Sequence, residues 1–383
     1  MRQEETQNFK NEYPLQEGVA VNRRFESFID ADLPSAANLA ARILEDLDPK
    51  THGVSWWTSL PTQERILIGD YLFQCTSGIE LNLAEAKLHY LEWLGATQEE
   101  NERIANGAWL DLQGGAHFKR PRSRAPIDDL PGRLERMHLC GFFRAIGSSL
   151  DCLGAAIIGV LGLSASLRYG DLRSSEKALH NLVPGEDAGT QIQVRFREFL
   201  LEAKRTVGAN DWMRWTDQYR NMFVHRGRRA SYHEIVPRDH LFYDARGQII
   251  PRVTSKLHLA RYPDRSEIEA LVVGKNTLLN EEADETMRGV FQSCRQLEEE
   301  TCKRLGSIWD ERKNEPGLIE QPIDQWKAKI KSTNFLGYNL AREAFSFDEL
   351  TINPSLAHRM LSAAVDDRQR SLWDGSEWAM GED

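Results

Sequence analysis

The stretch RNMFVHRGRR, residues 220–229, closes a helical pattern and carries several polar side chains. The pattern begins at Asn210 or Asp211, and either residue can cap the free N–H groups of a first helical turn. Its apolar residues recur at steps of three and four: Trp212, Trp215, Tyr219, Met222 and Phe223. Asn221 and His225 are four residues apart on the opposite side. The pattern predicts a well-anchored helix that presents polar groups away from the core.

Arg220 and His225 allow two interpretations. In the first, they are solvated cations near a helix C-terminus, where the helix dipole favours positive charge. In the second, they form an Arg-x4-His motif, with Asn221 directly after the arginine and a basic run after the histidine. Similar Arg-to-His spacings occur elsewhere in the chain, so the helix and the flanking residues distinguish this one.

The motif resembles the signature of the HEPN superfamily, a group of small all-helical domains that includes many prokaryotic ribonucleases. The family motif is Arg, four to six residues, then His, commonly with a polar residue after the Arg; here Arg220, Asn221 and His225 match it. The resemblance implies an antiparallel four-helix bundle over roughly residues 63–312. It also implies that the Arg and His of two protomers meet at a dimer interface and cut RNA without a metal.

The resemblance implies transesterification, in which the RNA 2′-OH attacks the adjacent phosphate. His225, with an ordinary pKa near ~6.5, would move protons. Arg220 would stabilise charge on the phosphate, and Asn221 would orient His225 or contact the phosphate. The basic residues that would hold the RNA backbone are Arg226, Arg228 and Arg229. The need for a 2′-OH makes RNA the expected substrate.

Asp151 lies in the middle of an apolar helix predicted over residues 133–166. HEPN domains often carry a polar residue on the helix that faces the motif, so the resemblance implies that Asp151 orients Arg220 or His225. A buried Asp that bonds only backbone or serine is an equally good interpretation. The glycines on this helix predict close approach by neighbouring segments: Gly141, Gly147, Gly154, Gly159 and Gly162.

A loop rich in Gly, Pro and Arg is predicted between Gln113 and Gly132. Its cations form a basic patch: Lys119, Arg120, Arg122 and Arg124. They are candidates for contact with the RNA backbone, but a solvated connector is the favoured interpretation.

The chain as a whole is predicted to be mainly α. We expect an N-terminal arm with a short helix over residues 1–60 and a HEPN-like helical domain over 61–315. Within that domain, residues of about 234–274 read as a small β-hairpin insertion, with its turn at 244–247. Residues 316–383 are predicted to form a C-terminal helical extension with an acidic tail.

Composition narrows the functional classes. A net charge of −10 argues against general coating of nucleic acid, although it allows a local basic site. The five scattered cysteines show no zinc-binding spacing, and we expect reduced thiols in a cytoplasmic protein. The apolar run 152–163 is too short to span a bilayer, so no membrane association is predicted. No nucleotide, dinucleotide or zinc-protease motif is present, and neither a metal nor another cofactor is expected.

Three functional hypotheses follow. The first is a homodimeric HEPN ribonuclease that serves as a prokaryotic antiviral defence or toxin protein, with an inhibitory or activating protein partner. The second is a catalytically inactive HEPN-fold module for dimerisation or nucleotide binding. The third is an unrelated helical interaction protein. Replacing Arg220 or His225 separates the first from the second, and the oligomeric state bears on the third.

Overall fold

The computed structural model describes residues 33–47, 56–58, 62–113, 130–223, 231–237, 253–260 and 278–319. Over these residues the chain forms seven helices and three strands, which confirms the prediction of a mainly α protein. The helices are α1 (Pro34–Asp46), α2 (Thr62–Gln113), α3 (Leu130–Leu161), α4 (Leu172–His180), α5 (Ala188–Thr206), α6 (Trp212–Asn221) and α7 (Ala283–Asn314). The strands are β1 (Ser231–Pro237), β2 (Val253–Ala260) and β3 (Leu278–Glu282).

The two long helices α2 and α3 form an antiparallel pair whose close contacts depend on glycine. Gly159 of α3 lies against Leu72, and Gly141 lies against His89, so α2 runs the opposite way to α3. A Cβ atom at Gly154 would lie 2.2 Å from the backbone of Asp171, before α4. The predicted close approach at these glycines is confirmed.

Helix α2 is longer than the sequence pattern indicates. The pattern predicts a helix over about 63–94 with a break near residues 76–78, continued as a charged helix over 97–112, whereas the structure has one unbroken helix. Thr76 lies within this helix, and its hydroxyl donates to the Leu72 carbonyl at 2.8 Å. Gly78 is tolerated because the Cys152 thiol of α3 occupies the space where a side chain would lie.

Helix α3 is apolar enough along its length to meet the requirements for a bilayer span, although the run 152–163 alone is too short. Of its most apolar 18-residue window, 78% is buried inside the protein. Among the described residues it is the one helix that passes this test. Its burial is that of a helix in a protein core, as the sequence analysis predicts.

The C-terminal end of α3 has a partner for every carbonyl of its last turn. Gly162 has a φ of 60°, and the Leu163 N–H bonds the Ile158 carbonyl at 3.1 Å, as in a Schellman cap. The buried Arg312 of α7 donates to the carbonyls at 159 and 160. The Gln193 amide donates to the carbonyl at 161 at 2.7 Å. The helix end is therefore closed by groups distant in sequence.

A three-stranded antiparallel sheet with the order β1-β2-β3 lies beside the helices. Ser231 pairs with Leu259, and Pro237 pairs with Val253. The strands reach further in both directions than the predicted insertion of about 234–274. The helix predicted from Thr277 begins instead at Ala283, because β3 occupies the preceding residues. The predicted turn at 244–247 lies outside the described residues.

Helix α1 confirms the short helix predicted within the N-terminal arm. It packs on α2 and α7, and its residue Asp46 accepts a 2.9 Å hydrogen bond from the buried Trp309 indole. Ser35 bonds Glu299 of α7 at 2.6 Å. Residues 34–46 therefore belong to the same packed core as the long helices. Most of the predicted C-terminal extension, from residue 320 onward, lies outside the described residues.

Candidate active site

Aromatic side chains hold α6 against α3. Tyr219 is fully buried, and its ring centre lies 4.7 Å from those of Phe143 and Trp215. Trp212 and Met222 are also buried. The predicted apolar face of this helix is confirmed, and it fixes the position of the polar residues at the helix end.

The start of α6 differs from the prediction that Asn210 or Asp211 caps the helix. Asp211 occupies the N-cap position, but its φ of 59° is left-handed and its side chain makes no capping hydrogen bond. A short polar side chain tolerates this conformation better than most residues. The N–H groups of the first turn are thus not capped by the aspartate.

Arg220 leaves α6 toward α3 and crosses Gly147. A Cβ atom at position 147 would lie 2.3 Å from Arg220 Cδ, which is closer than such atoms approach. The Arg220 side chain is only 26% exposed. The helical spacing predicts that Arg220 lies on a face away from the core, whereas Gly147 gives its side chain room to lie along α3.

Arg220 and Asp151 form an ion pair between α6 and α3. Arg220 Nη2 donates to Asp151 Oδ2 at 2.8 Å, a charge-assisted bond. Burial raises the pKa of Asp151, and the adjacent guanidinium opposes that shift. Asp171 and Asp217 raise the same pKa through their negative charge. The expected contact between Asp151 and Arg220 is present, and its role in catalysis stays a prediction.

Asn221 bonds along its own helix. Its amide donates to Asp217 Oδ1 at 3.2 Å, and Asp217 Oδ2 lies 3.8 Å from the guanidinium of Arg173. The resemblance implies that Asn221 orients His225 or contacts phosphate. Its observed partner is a carboxylate, and His225 lies outside the described residues.

These groups line one cleft of about 690 Å³ between α3, α4, α5 and α6. Its walls carry five cationic side chains: Arg173, Lys204, Arg205, Arg214 and Arg220. They also carry five carboxylates: Asp151, Asp171, Glu176, Asp211 and Asp217. The cleft is large enough for a nucleotide-sized group, and its charge is balanced rather than basic.

The remaining predicted site residues lie outside the described part of the chain. They are His225, Arg226, Arg228, Arg229, Lys119, Arg120, Arg122 and Arg124. Of the four predicted catalytic residues, the structure therefore places Arg220, Asn221 and Asp151. It brings Arg220 and Asp151 into direct contact, and Asn221 lies beside them in the same cleft.

Sequence reasoning missed Asp217 and Arg173. Asp217 stands four residues before Asn221 on one helix, a spacing at which side chains meet, so its contact with Asn221 was open to prediction. Arg173 comes from residues 168–189, where the sequence predicts a polar connector but the structure has the helix α4. No local pattern links this residue to α6. The tertiary fold alone brings it to the cleft.

The described residues contain no group of three or more His, Cys, Asp or Glu side chains placed to hold a metal ion. All five cysteines are free thiols. Cys294 and Cys302 are fully buried in the core, as their position on one helical face predicts.

Gly147→Ala is expected to push Arg220 away from Asp151 and to lower the free energy of unfolding by about 1 to 3 kcal/mol, as overpacking does. The matched control is Gly289→Ala on α7, where nothing lies within 4 Å of the added Cβ atom. The control should stabilise the protein by up to about 1 kcal/mol, because alanine favours a helix. Urea unfolding of both variants measures the difference. Equal midpoints would show that Arg220 does not cross Gly147.

The chain matches no family model, no curated protein and no solved structure.

Proposed function

We propose that this chain is a HEPN-type endoribonuclease that cleaves RNA by 2′-OH transesterification without a metal. The observation that carries the proposal is the placement of Arg220. Its guanidinium is held by Asp151 at the wall of an open cleft, five residues before the histidine of the motif. A partly exposed, fixed guanidinium suits a phosphate whose negative charge grows in the transition state.

In this mechanism Asp151 is a positioning residue. Its Oδ2 holds one terminal nitrogen of Arg220, and that bond limits the directions in which the rest of the guanidinium points. His225 would move the proton between the attacking 2′-OH and the leaving oxygen. Arg226, Arg228 and Arg229 would hold the RNA backbone.

The finer architecture belongs to the same proposal. We take α2, α3, α7 and the α5–α6 segment as the four helices of a HEPN-like bundle, with the strands β1 to β3 as an insertion. Two copies that pair through the α6 face would bring two Arg220 and two His225 residues together. The proposed setting is a cytoplasmic defence or toxin protein whose activity a protein partner restrains or triggers.

Arg220→Ala and His225→Ala are each expected to lower RNA cleavage about 10²-fold or more, because each removes a group that acts on the reacting phosphate. The assay is cleavage of labelled total RNA in EDTA by full-length protein, with the products tested for 2′,3′-cyclic phosphate ends. Matched controls are Arg195→Ala, an exposed arginine of α5, and His180→Ala, an exposed histidine of α4. Both controls should cleave like the wild type.

The assay needs the solution mass of each protein, because the proposed site is built from two copies. Cleavage by a dimer, lost in both motif variants and kept in both controls, supports the proposal. Cleavage that persists in Arg220→Ala and His225→Ala would overturn it. An inactive monomer would contradict the proposal that the site is built from two copies.

One observation favours the inactive module as a second candidate. Asp151 is paired with Arg220, and Asp171 and Asp217 line the same cleft; their negative charge reduces the attraction of a phosphate to this site. A dimer that cleaves no RNA, and whose dimerisation is unchanged in Arg220→Ala, is the result that this candidate predicts.

A further inference from the structure

Two thiols meet across the α2–α3 pair. The Cys75 thiol of α2 lies within hydrogen-bonding reach of the Cys152 thiol of α3. The two residues are far apart in the chain, so only the packing of the helices brings them together. Both side chains are partly exposed, whereas Cys294 and Cys302 are buried in the core.

The two backbones approach closely at this level of the helix pair. The Cys152 thiol lies in a hollow of α2 whose residues are spaced at i, i+3 and i+7: Cys75, Gly78 and Asn82. A Cβ atom at Gly78 would lie 3.8 Å from Cys152 Cβ. The Cβ atoms of a disulfide are about 3.8 Å apart, so the helices are as close here as a disulfide between them requires.

The surroundings give the two thiols different acidities. A hydrogen bond with the Cys152 thiol lowers the pKa of Cys75, against the opposing effect of burial, and Tyr71 acts in the same direction as Cys152. The same hydrogen bond and burial raise the pKa of Cys152, whose sulfur lies 3.6 Å from the Asn82 amide nitrogen. Cys75 therefore supplies the thiolate, and Cys152 is a neutral thiol beside it. This asymmetry is typical of an attacking cysteine and its resolving partner.

A peroxide can join two such sulfurs in two steps. The Cys75 thiolate attacks one oxygen of hydrogen peroxide, the O–O bond breaks, and the other oxygen leaves as hydroxide, which takes up a proton to become water. Cys75 is then a sulfenic acid. The Cys152 sulfur attacks the Cys75 sulfur, the S–O bond breaks, and the hydroxyl group leaves with the Cys152 proton as a second water. The two thiols together lose two electrons, which reduce the peroxide.

We propose that Cys75 and Cys152 form a redox-sensitive site, which hydrogen peroxide oxidises to a disulfide that ties α2 to α3. Cys152 directly follows Asp151, so one turn of α3 carries this thiol toward α2 and the partner of Arg220 toward α6. The disulfide therefore fixes the turn of α3 that carries Asp151. Its formation does not depend on the proposed ribonuclease activity.

The test is exposure of the reduced full-length protein to hydrogen peroxide, followed by a count of free thiols in denaturant. The wild type should lose two of its five free thiols, and digestion without reductant should yield a linked peptide pair that contains Cys75 and Cys152. The mass of the chain should fall by that of two hydrogen atoms, which distinguishes an internal disulfide from one between chains. The matched control, Cys140→Ser, removes another partly exposed cysteine of α3 and should form the same disulfide.

Two further variants separate the roles of the thiols and set the peroxide concentration. Cys152→Ser lacks the resolving thiol, so its Cys75 should accumulate as a sulfenic acid and react with dimedone. Cys75→Ser should show neither a disulfide nor this label. A wild type that keeps all five thiols at the peroxide concentration that labels Cys152→Ser would overturn the proposal. So would a linked pair that contains other cysteines, or a Cys152→Ser protein without label at Cys75.

Discussion

Arg312→Met should lower the free energy of unfolding by about 3 to 5 kcal/mol, the cost of breaking a buried charged network. Arg312 is 1% exposed, and its guanidinium donates to carbonyls at the end of α3 and to the Trp57 carbonyl at 3.3 Å. Methionine fills a similar volume but donates nothing. The carbonyls at 57 and 160 would then lose the buried donor that the guanidinium supplies.

The groups that accept hydrogen bonds from Arg312 are carbonyl oxygens rather than carboxylates. Burial lowers the pKa of Arg312 to about 9, so it is still protonated at neutral pH. The C-terminal end of a helix carries a partial negative charge, which offsets part of the cost of the buried cation. The carbonyls at the helix end and the guanidinium thus supply each other's hydrogen-bond partners. Either group would be costly to bury without the other.

Guanidinium-induced unfolding at pH 7 measures the effect, with Lys303→Met as the matched control. Lys303 is an exposed cation of the same helix, and its replacement should change stability by no more than about 0.5 kcal/mol. Arg312→Lys should recover part of the loss, because an ammonium group reaches fewer carbonyls at once. If Arg312→Met and Lys303→Met unfold at the same midpoint, the arginine does not stabilise the helix end.

A second large effect is expected from Glu298. Its contribution to the free energy of unfolding should fall by about 5 kcal/mol between pH 4.5 and pH 8. Burial raises the pKa of Glu298 to about 8 from its ordinary 4.5. Between these values the folded protein holds a proton that the unfolded chain releases. The stabilising contribution of Glu298 is therefore fully present below about pH 4.5 and decreases as the pH rises to about 8.

The hydrogen bonds around Glu298 support a protonated carboxyl. Ser149 Oγ lies 2.7 Å from the Ile79 carbonyl oxygen and 2.6 Å from Glu298 Oε1. The carbonyl only accepts, so the single hydroxyl hydrogen goes to it. Glu298 must then donate to Ser149. Its Oε2 atom has no hydrogen-bond partner among the described residues, which adds to the cost of ionising it.

Glu298→Gln should remove this pH dependence, because the amide is neutral at every pH and keeps the size of the side chain. At pH 8.5 the variant should be more stable than the wild type, whereas at pH 5 the two should be similar. The measurement is the urea midpoint at several pH values, with the exposed Glu311→Gln as control. A wild-type curve parallel to that of Glu298→Gln would show that Glu298 is ionised throughout.

Part of the structure can be predicted from local sequence patterns. Spacing along the chain predicts helices and their buried faces, so the apolar face of α6 and the buried Cys294 and Cys302 are confirmed. The resemblance predicts that Asp151, on the helix facing the motif, orients Arg220 or His225, and Asp151 does contact Arg220. These features depend on periods within one segment and on one resemblance.

Other features depend on groups that meet only after folding. Arg312 reads as one more cation at the end of an amphipathic helix, and its partners lie 152 and more residues away. The thiol of Cys152 on α3 lies in the space beside Gly78 of α2 that a side chain would fill. The sequence pattern predicts a helix from about Thr277, whereas residues 278–282 pair with β2 as strand β3. Local periodicity carries no information on such partners.

The closure of α3 by Arg312 also has a consequence for synthesis on the ribosome. Residue 312 is added 151 positions after Leu161, which at 5–20 residues per second takes roughly 8 to 30 s. During that time the last turn of α3 exposes carbonyls, and the apolar helix lacks the α7 face that covers it. A nascent chain arrested before residue 312 should therefore bind a chaperone that recognises apolar segments, and release it once α7 has emerged.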